Sequence, residues 1–344
     1  TIIGGSTDLD GDAIDYTYTW YDPTGTDVQI LANTSTMFDT FAGTSTTAGL
    51  WECDVIASDG SETANSSADI EVDADWPGTI TLTNCGQTGH TGPSQSQCDS
   101  DYLGTSVEGL MTMNGDYQSF EIPSTGSYQI TVAGARGGYG LSFNRIPGNG
   151  YVLKSDFELT QGDILNIVVG QLGEDNSSNN GGGGGGTFVW VDSVGLTSDP
   201  LIAAGGGGGA GYNSSNGLDG TSSTSGLGVS SCGTGGGTNG GAGTEVYNNG
   251  GGGGGWFAAG LYGDTATFIG KIQAGGGYGG FGHGGGGQGG DNGGGGGGGY
   301  SGGGSGCDGG NGYGGGGAGS YSTGTNRVNI GTNVSHGYVI IEKL

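Results

Sequence analysis

"GGDNGGGGGGGYSGGGSGCDGGNGYGGGG", residues 289–317, holds almost no side chain that could pack, carry charge or react. Glycine is the costliest residue to order and brings no apolar surface, so such a stretch reads first as a low-complexity linker. Two features of the surrounding chain argue otherwise. Glycine runs of similar length recur at 181–186, 205–209, 250–255, 293–299 and 314–317, with Trp256, Phe281, Tyr300 and Tyr313 near run ends. An apolar strand-like segment, "GYVIIEKL" at 337–344, then follows the last run. A disordered tail has nothing foldable after it, so the glycine region reads as an insertion anchored at both ends.

Collagen is excluded, because it needs glycine at every third position with frequent proline, and the chain has 91 glycines but only six prolines. A contiguous run can instead adopt the polyproline II conformation, with three residues per turn and a rise of roughly 3.1 Å. One such rod leaves every N–H and C=O to water, whereas several rods side by side can bond to one another. Only glycine permits that approach on every side. The expectation is a bundle of parallel and antiparallel glycine rods with aromatic rings covering its ends.

Outside the runs the chain of 344 residues has the grammar of short strands. "IDYTYTWYD" (14–22), "GLWECDVIASDG" (49–60) and "SADIEVD" (67–73) alternate with period two, as half-buried strands do. After Asp75-Trp76-Pro77 come "GTITLTN" (78–84), "SFEIPSTGSYQITVAGARGG" (119–138), "YVLKSDFEL" (151–159), "DILNIVVGQLG" (163–173), "TFVWVDS" (187–193) and "PLIAAG" (200–205). The reading is an all-β protein in which 1–75 forms a small antiparallel sandwich, 76–180 a second sandwich, 181–336 the glycine-rich region with short strands, and 337–344 the strand that closes the second sandwich.

Six Lys and Arg against 33 Asp and Glu give a net charge of −27, which repels nucleic acid and anionic lipid and favours cationic ligands or divalent metal ions. No apolar run reaches the 18 residues of a membrane span, and "TIIGGSTDLD" is no signal peptide, so Thr1 reads as an internal residue of a longer protein. Scarce lysine, abundant Thr, Ser, Asn and Gly, and cysteines in polar loops point to an oxidising, extracellular setting. Asp8, Asp10, Asp12 and Asp15 in "DLDGDAID" alternate in a loop, where they could supply oxygen ligands to calcium or form a solvated acidic turn; the spacing is not that of an EF-hand.

Two resemblances follow from these residues. "STDLDGDAIDYTYTW…LWECDVIASDG" resembles the PKD-type or cadherin-like immunoglobulin-like repeats of large bacterial surface proteins. In such repeats the cysteine of the "WEC" strand faces a cysteine on an early strand, so Cys53 is expected to find its partner upstream of Thr1, and the domain looks cut at its first strand. Further on, "TNCGQTGHTGPSQSQCDSDYLGTSV" (83–107), "VVGQLGED" (168–175), "PLIAAGGGGGAG" (200–211), "GGFGHGGGG" (279–287) and "HGYVIIEKL" (336–344) are similar, in order over 76–344, to the glycine-rich extracellular domain of anaplastic lymphoma kinase and leukocyte tyrosine kinase. That resemblance implies a jelly-roll like that of tumour necrosis factor from which a bundle of polyglycine II helices is elaborated, and a disulfide between Cys85 and Cys98. Cys232 and Cys307 do not sit where the receptors have their glycine-region cysteines and are paired with each other as the two that are left.

Catalytic chemistry finds no footing. His90, His283 and His336 stand in separate segments, there is no H-E-x-x-H or C-x-x-C, and "FIGKI" around Lys271 lacks the Ser or Thr of a phosphate loop. G-x-G-x-x-G matches are trivial in glycine tracts. The expectation is a non-catalytic extracellular surface protein, a structural or adhesive unit of a bacterial surface fibre that associates with itself or with a neighbouring surface protein. The alternative, from a different class, is a ligand-binding module at the tip of a stalk, recognising a cationic protein through its acidic surface or a glycan through its tyrosines.

Overall fold

The computed structural model describes residues 12–36, 39, 48–72, 76–140, 145–177, 179–212, 215–232, 234–245, 250–258, 268–270, 277–285, 293–308 and 312–344. It divides into two compact units, Thr1–Trp76 and Pro77–Leu344. The described residues form three antiparallel sheets and a single short α-helix.

The first unit holds β1 (Asp15–Tyr21), β2 (Asp27–Thr34), β3 (Gly49–Ser58) and β4 (Thr63–Val72), in the order β2-β1-β3-β4. Period-two alternation places Tyr16, Tyr18 and Trp20 of β1 opposite Ala57, Val55 and Cys53 of β3, with Trp51 further along the same face. Tyr16, Tyr18, Trp51 and Ala57 are buried there. The Asp39 carboxylate accepts from Trp20 Nε1 at 3.1 Å and Gln29 Nε2 at 2.9 Å, which ties that face to the segment after β2.

The second unit begins with β5 (Ile80–Leu82) and α1 (Gln95–Asp101), the latter started by Ser94, whose backbone N–H donates to Gln97 Oε1 at 2.8 Å. β6 (Met111–Asn114), β7 (Tyr117–Glu121), β8 (Gly126–Ala133), β9 (Gly150–Leu159), β10 (Ile164–Val168), β11 (Thr187–Val191), β12 (Ile202–Ala204), β13 (Tyr321–Ser322), β14 (Thr325–Asn333) and β15 (Tyr338–Lys343) complete it. They make a six-stranded sheet, β13-β12-β11-β10-β7-β6, and a five-stranded sheet, β14-β9-β8-β15-β5. Ile80, Leu82, Phe120, Ile130, Val132, Leu153, Leu165, Ile167, Val339 and Ile341 from both sheets are buried. β15 lies between β8 and β5, so the last strand of the chain is held by strands far upstream.

The glycine segments are neither helix nor strand, and they are buried. Their hydrogen bonds show what they are. In 205–211 the N–H groups of Gly206 and Gly209 donate to Gly298 and Gly295, those of Gly207 and Ala210 to Ala135 and Gly138, and those of Gly208 and Gly211 to Leu218 and Ser215. Every third residue thus addresses the same neighbour, which is a turn of three residues. The carbonyls of this rod accept in the same rhythm from Gly184 and Gly181, from Ala318 and Gly315, and from Tyr151 and Gly148. One rod therefore donates to three segments and accepts from three others among the described residues.

The rods 181–186 and 293–299 follow the same pattern. Gly183 and Gly186 donate to Gly285 and Gly282, Gly182 and Gly185 to Glu174 and Gln171, and Gly181 and Gly184 to Ala210 and Gly207. Gly295 and Gly298 donate in turn to Gly181 and Gly184, so these two rods and 205–211 are mutually bonded at the centre of the bundle.

Such packing excludes side chains. A Cβ on Gly207 would fall inside van der Waals contact of the Gly148 carbonyl, and one on Gly297 inside that of Gly206, both backbone groups that cannot swing away. Ala135, Ala210 and Ala318 fit at 0% exposure, so single methyl groups are admitted where the lattice leaves room.

Gly207→Ala is expected to lower the stability of the second unit by about 2–3 kcal/mol, the upper end of overpacking costs. Gly235→Ala, in the same region but with only Thr244 Oγ1 at 3.8 Å from the new methyl, should stay within about 0.5 kcal/mol of the parent. Urea unfolding followed by tryptophan fluorescence compares the two; equal costs would contradict the close-packed bundle.

Candidate interaction surfaces

Where rods meet the six-stranded sheet, their ends are closed by an apolar cluster of Val168, Phe188, Trp190, Ala203, Trp256, Phe268, Phe281 and Tyr300. Trp256 and Tyr300 directly follow glycine runs, and Phe188 and Trp190 belong to β11, which continues the run 181–186. Tyr313 is not in this cluster. The ring pairs Phe188–Trp256 and Trp190–Phe268 have centroids 5.5 and 5.7 Å apart. At the margin Trp256 Nε1 donates to the Ser198 carbonyl at 2.7 Å, and Tyr300 Oη to Asp199 Oδ1 at 2.8 Å. Burial first, then the Asp199 carboxylate, hold the Tyr300 phenol well above its ordinary range.

A second junction joins the bundle to the loop that the Cys85–Cys98 disulfide closes. In that loop the Gly89 carbonyl accepts from Phe281 N–H at 2.9 Å, and that of His90 from Gly270 N–H at 2.8 Å. The Thr91 carbonyl accepts from Gln171 Nε2 at 2.9 Å. Below the loop Tyr102 Oη donates to Gln118 Oε1 and accepts from Thr83 N–H, and burial pushes its phenol up to about 12. The second disulfide, Cys232–Cys307, fastens a 3-10 turn, Ser230–Cys232, to the glycine segment 301–307.

Charge is unevenly placed. All six Lys and Arg (136, 145, 154, 271, 327 and 343) lie in the second unit, so the first carries carboxylates alone. Arg136 spans a junction between rods and strands. Its guanidinium lies 3.6 Å from Asp175 Oδ1 and 4.5 Å from the Tyr139 ring centre, and the Arg136 backbone N–H donates to the Ser335 carbonyl at 3.1 Å. Beside it His336 Nδ1 accepts from Leu172 N–H at 3.2 Å, which fixes the neutral tautomer. Burial, reinforced by Arg136, lowers the His336 pKa from its ordinary 6.5.

Of the aspartates considered for calcium, Asp8 and Asp10 lie outside the described residues. Asp12 and Asp15 precede and begin β1. Among the described residues no group of three or more His, Cys, Asp or Glu is placed to hold a metal ion. His283 is buried against Phe188 and Phe268, in the aromatic cluster and apart from His90 and His336. Cys53 is a free, half-buried thiol on the inner face of the first unit's sheet, and burial raises its pKa. Among the described residues no helix is long and apolar enough to cross a membrane.

The sequence matches no protein-family model. Over 94 residues, 26% of this chain, it is 38% identical to the leukocyte tyrosine kinase receptor of Mus musculus, and the match covers 11% of that receptor's length. The chain is thus similar to a small part of a much longer protein.

Because His336 resists protonation in the folded state, its contribution to stability is present above pH 6.5 and is lost as the pH falls through its lowered folded value. His336→Asn keeps an acceptor for Leu172 N–H without the titration. Urea midpoints measured from pH 7.5 to pH 5 should fall less steeply for this variant than for the parent; parallel curves would show that the junction does not sense the proton.

Proposed function

We propose that the chain is a non-catalytic extracellular module, a structural or adhesive unit of a bacterial surface fibre. In this reading the first unit is an immunoglobulin-like stalk repeat, and the second is a jelly-roll carrying a bundle of polyglycine II helices. The observation that carries it is the rod lattice, in which backbone groups of 181–186, 205–211 and 293–299 are bonded to one another and to the segments around them. A body of this kind resists bending and gives proteases little accessible chain, properties of use outside the cell.

The similarity to part of a protein named as a receptor supports an extracellular module, as do the two disulfides, which persist in oxidising surroundings. The reading without catalysis rests on the sequence, where no nucleophile, base or metal motif assembles. Receptor signalling is not carried over from a match that covers 11% of the receptor.

Electron microscopy of material sheared from producing cells, labelled with antibody raised to residues 77–344, tests this. Label along fibres with a regular axial repeat is the expected result. Label confined to the tips of thin stalks, or to isolated particles, would replace the fibre subunit with a terminal binding head.

A further inference from the structure

The edges of the three sheets are not equally protected. β2 and β14 are long edge strands, and both pair with their neighbours through register shifts, the irregularities that blunt an edge. β5, β6 and β13 have only three, four and two residues. β4 differs from all of them. It pairs with β3 over ten consecutive positions, Gly49↔Val72 to Ser58↔Thr63, with no shift, and contains no Pro, Lys or Arg. Residues 63–70 are all exposed, although on one face they continue a buried layer.

On that inner face Trp51 is 2% exposed, while Ile70 directly opposite it on β4 is 54% exposed. Beyond Ile70 come Ala68, Ser66 and Ala64, side chains too small to cover an edge. The outer face is electrostatically unfinished. Glu52 of β3 stands directly opposite Asp69 of β4, a like-charge pair, and Asp54 follows on the same face opposite Ser67. No Lys or Arg of the first unit is available to them.

We propose that β4 is an open docking edge that takes up, by strand addition, an extended segment of a partner protein bearing Lys or Arg on one face and apolar side chains on the other. The partner's main chain would bond to the outward N–H and C=O groups of β4, which pair with no other strand among the described residues. Its apolar side chains would cover Ile70 and Ala68, and its cations would sit opposite Ser67 and Asp69, within reach of Glu52 and Asp54. The inference stands apart from the fibre reading and concerns the first unit alone.

The probe is a ten-residue peptide alternating lysine and valine, titrated against the full chain by fluorescence anisotropy. Amide hydrogen exchange of residues 63–72 is followed in parallel. The expected result is saturable binding that protects β4, weakens between 50 and 500 mM salt, and is about threefold weaker for Asp69→Asn. The same peptide N-methylated at its central amides should not bind, because it cannot extend the ladder. Equal binding of the methylated peptide would overturn the proposal in favour of diffuse charge attraction. Equal binding of a threonine–valine peptide would overturn the choice of a cationic partner. Protection of β4 that rises with protein concentration in the absence of peptide would assign the edge to a second copy of the chain instead, and no protection under any condition would show that the edge takes no strand.

Discussion

A backbone amide in a glycine rod of three residues per turn has no partner within its own rod, since successive N–H groups point in three different directions. Each must bond to a different neighbour, and a buried amide without one costs about 1–3 kcal/mol. No single glycine run can therefore fold by itself, nor can two. In the lattice around 181–186, 205–211 and 293–299 these directions are met together, by the three runs and the segments beside them. From this constraint follow the number of runs, their similar lengths and the exclusion of side chains from their interior.

Glycine loses more backbone freedom on folding than other residues, by roughly 0.5–1 kcal/mol each relative to alanine in regular structure. The bundle offsets that loss with bonds on every side and with the covering of its ends. Apolar burial is concentrated in the two sheets of the second unit and in the aromatic cluster around Phe188, Trp190 and Trp256, where the rods leave the sheet. The division of labour is spatial: side chains bury apolar area at the base, and main chain bonds to main chain above it.

Much of this was legible in the residues. The all-β class rests on period-two stretches such as "IDYTYTWYD", and β1 runs through Asp15–Tyr21 within it. Elements escaped where the alternation carries little apolar contrast. β14, "TNRVNIGTN", has Val328 and Ile330 exposed at 46% and 52%, so its pattern records no buried face. β2, "DVQILANT", is an edge strand with mostly exposed residues and offers the same weak signal. The helix Gln95–Asp101 is polar throughout except for Cys98, and it forms because Ser94 and Gln97 start it and the disulfide buries that cysteine. The glycine runs announce a bundle but not which rods are neighbours, because identical residues carry no pairing code.

That missing code is supplied by the strands. β8 runs into the segment 134–140, β10 into 170–176 and β12 into 205–211, while the rods 181–186 and 313–319 lead into β11 and β13. In the six-stranded sheet these strands stand in the order β13-β12-β11-β10. Their rods keep the same order, since Ala318 bonds to Gly206, Gly184 to Gly207, and Gly185 to Gln171. The segment from β8 joins from the other sheet, with Ala135 donating to Gly185 and accepting from Gly207. At the seam the Thr187 hydroxyl donates to the Ala133 carbonyl at 2.6 Å and accepts from Gly170 N–H at 3.0 Å, so one side chain fixes the points where strands of both sheets become rods. A lattice of identical residues could slide by three without changing its local bonds. Side chains in the sheets cannot slide without exposing Phe188 or Leu165, and by covalent continuity they set the register of the glycine above them.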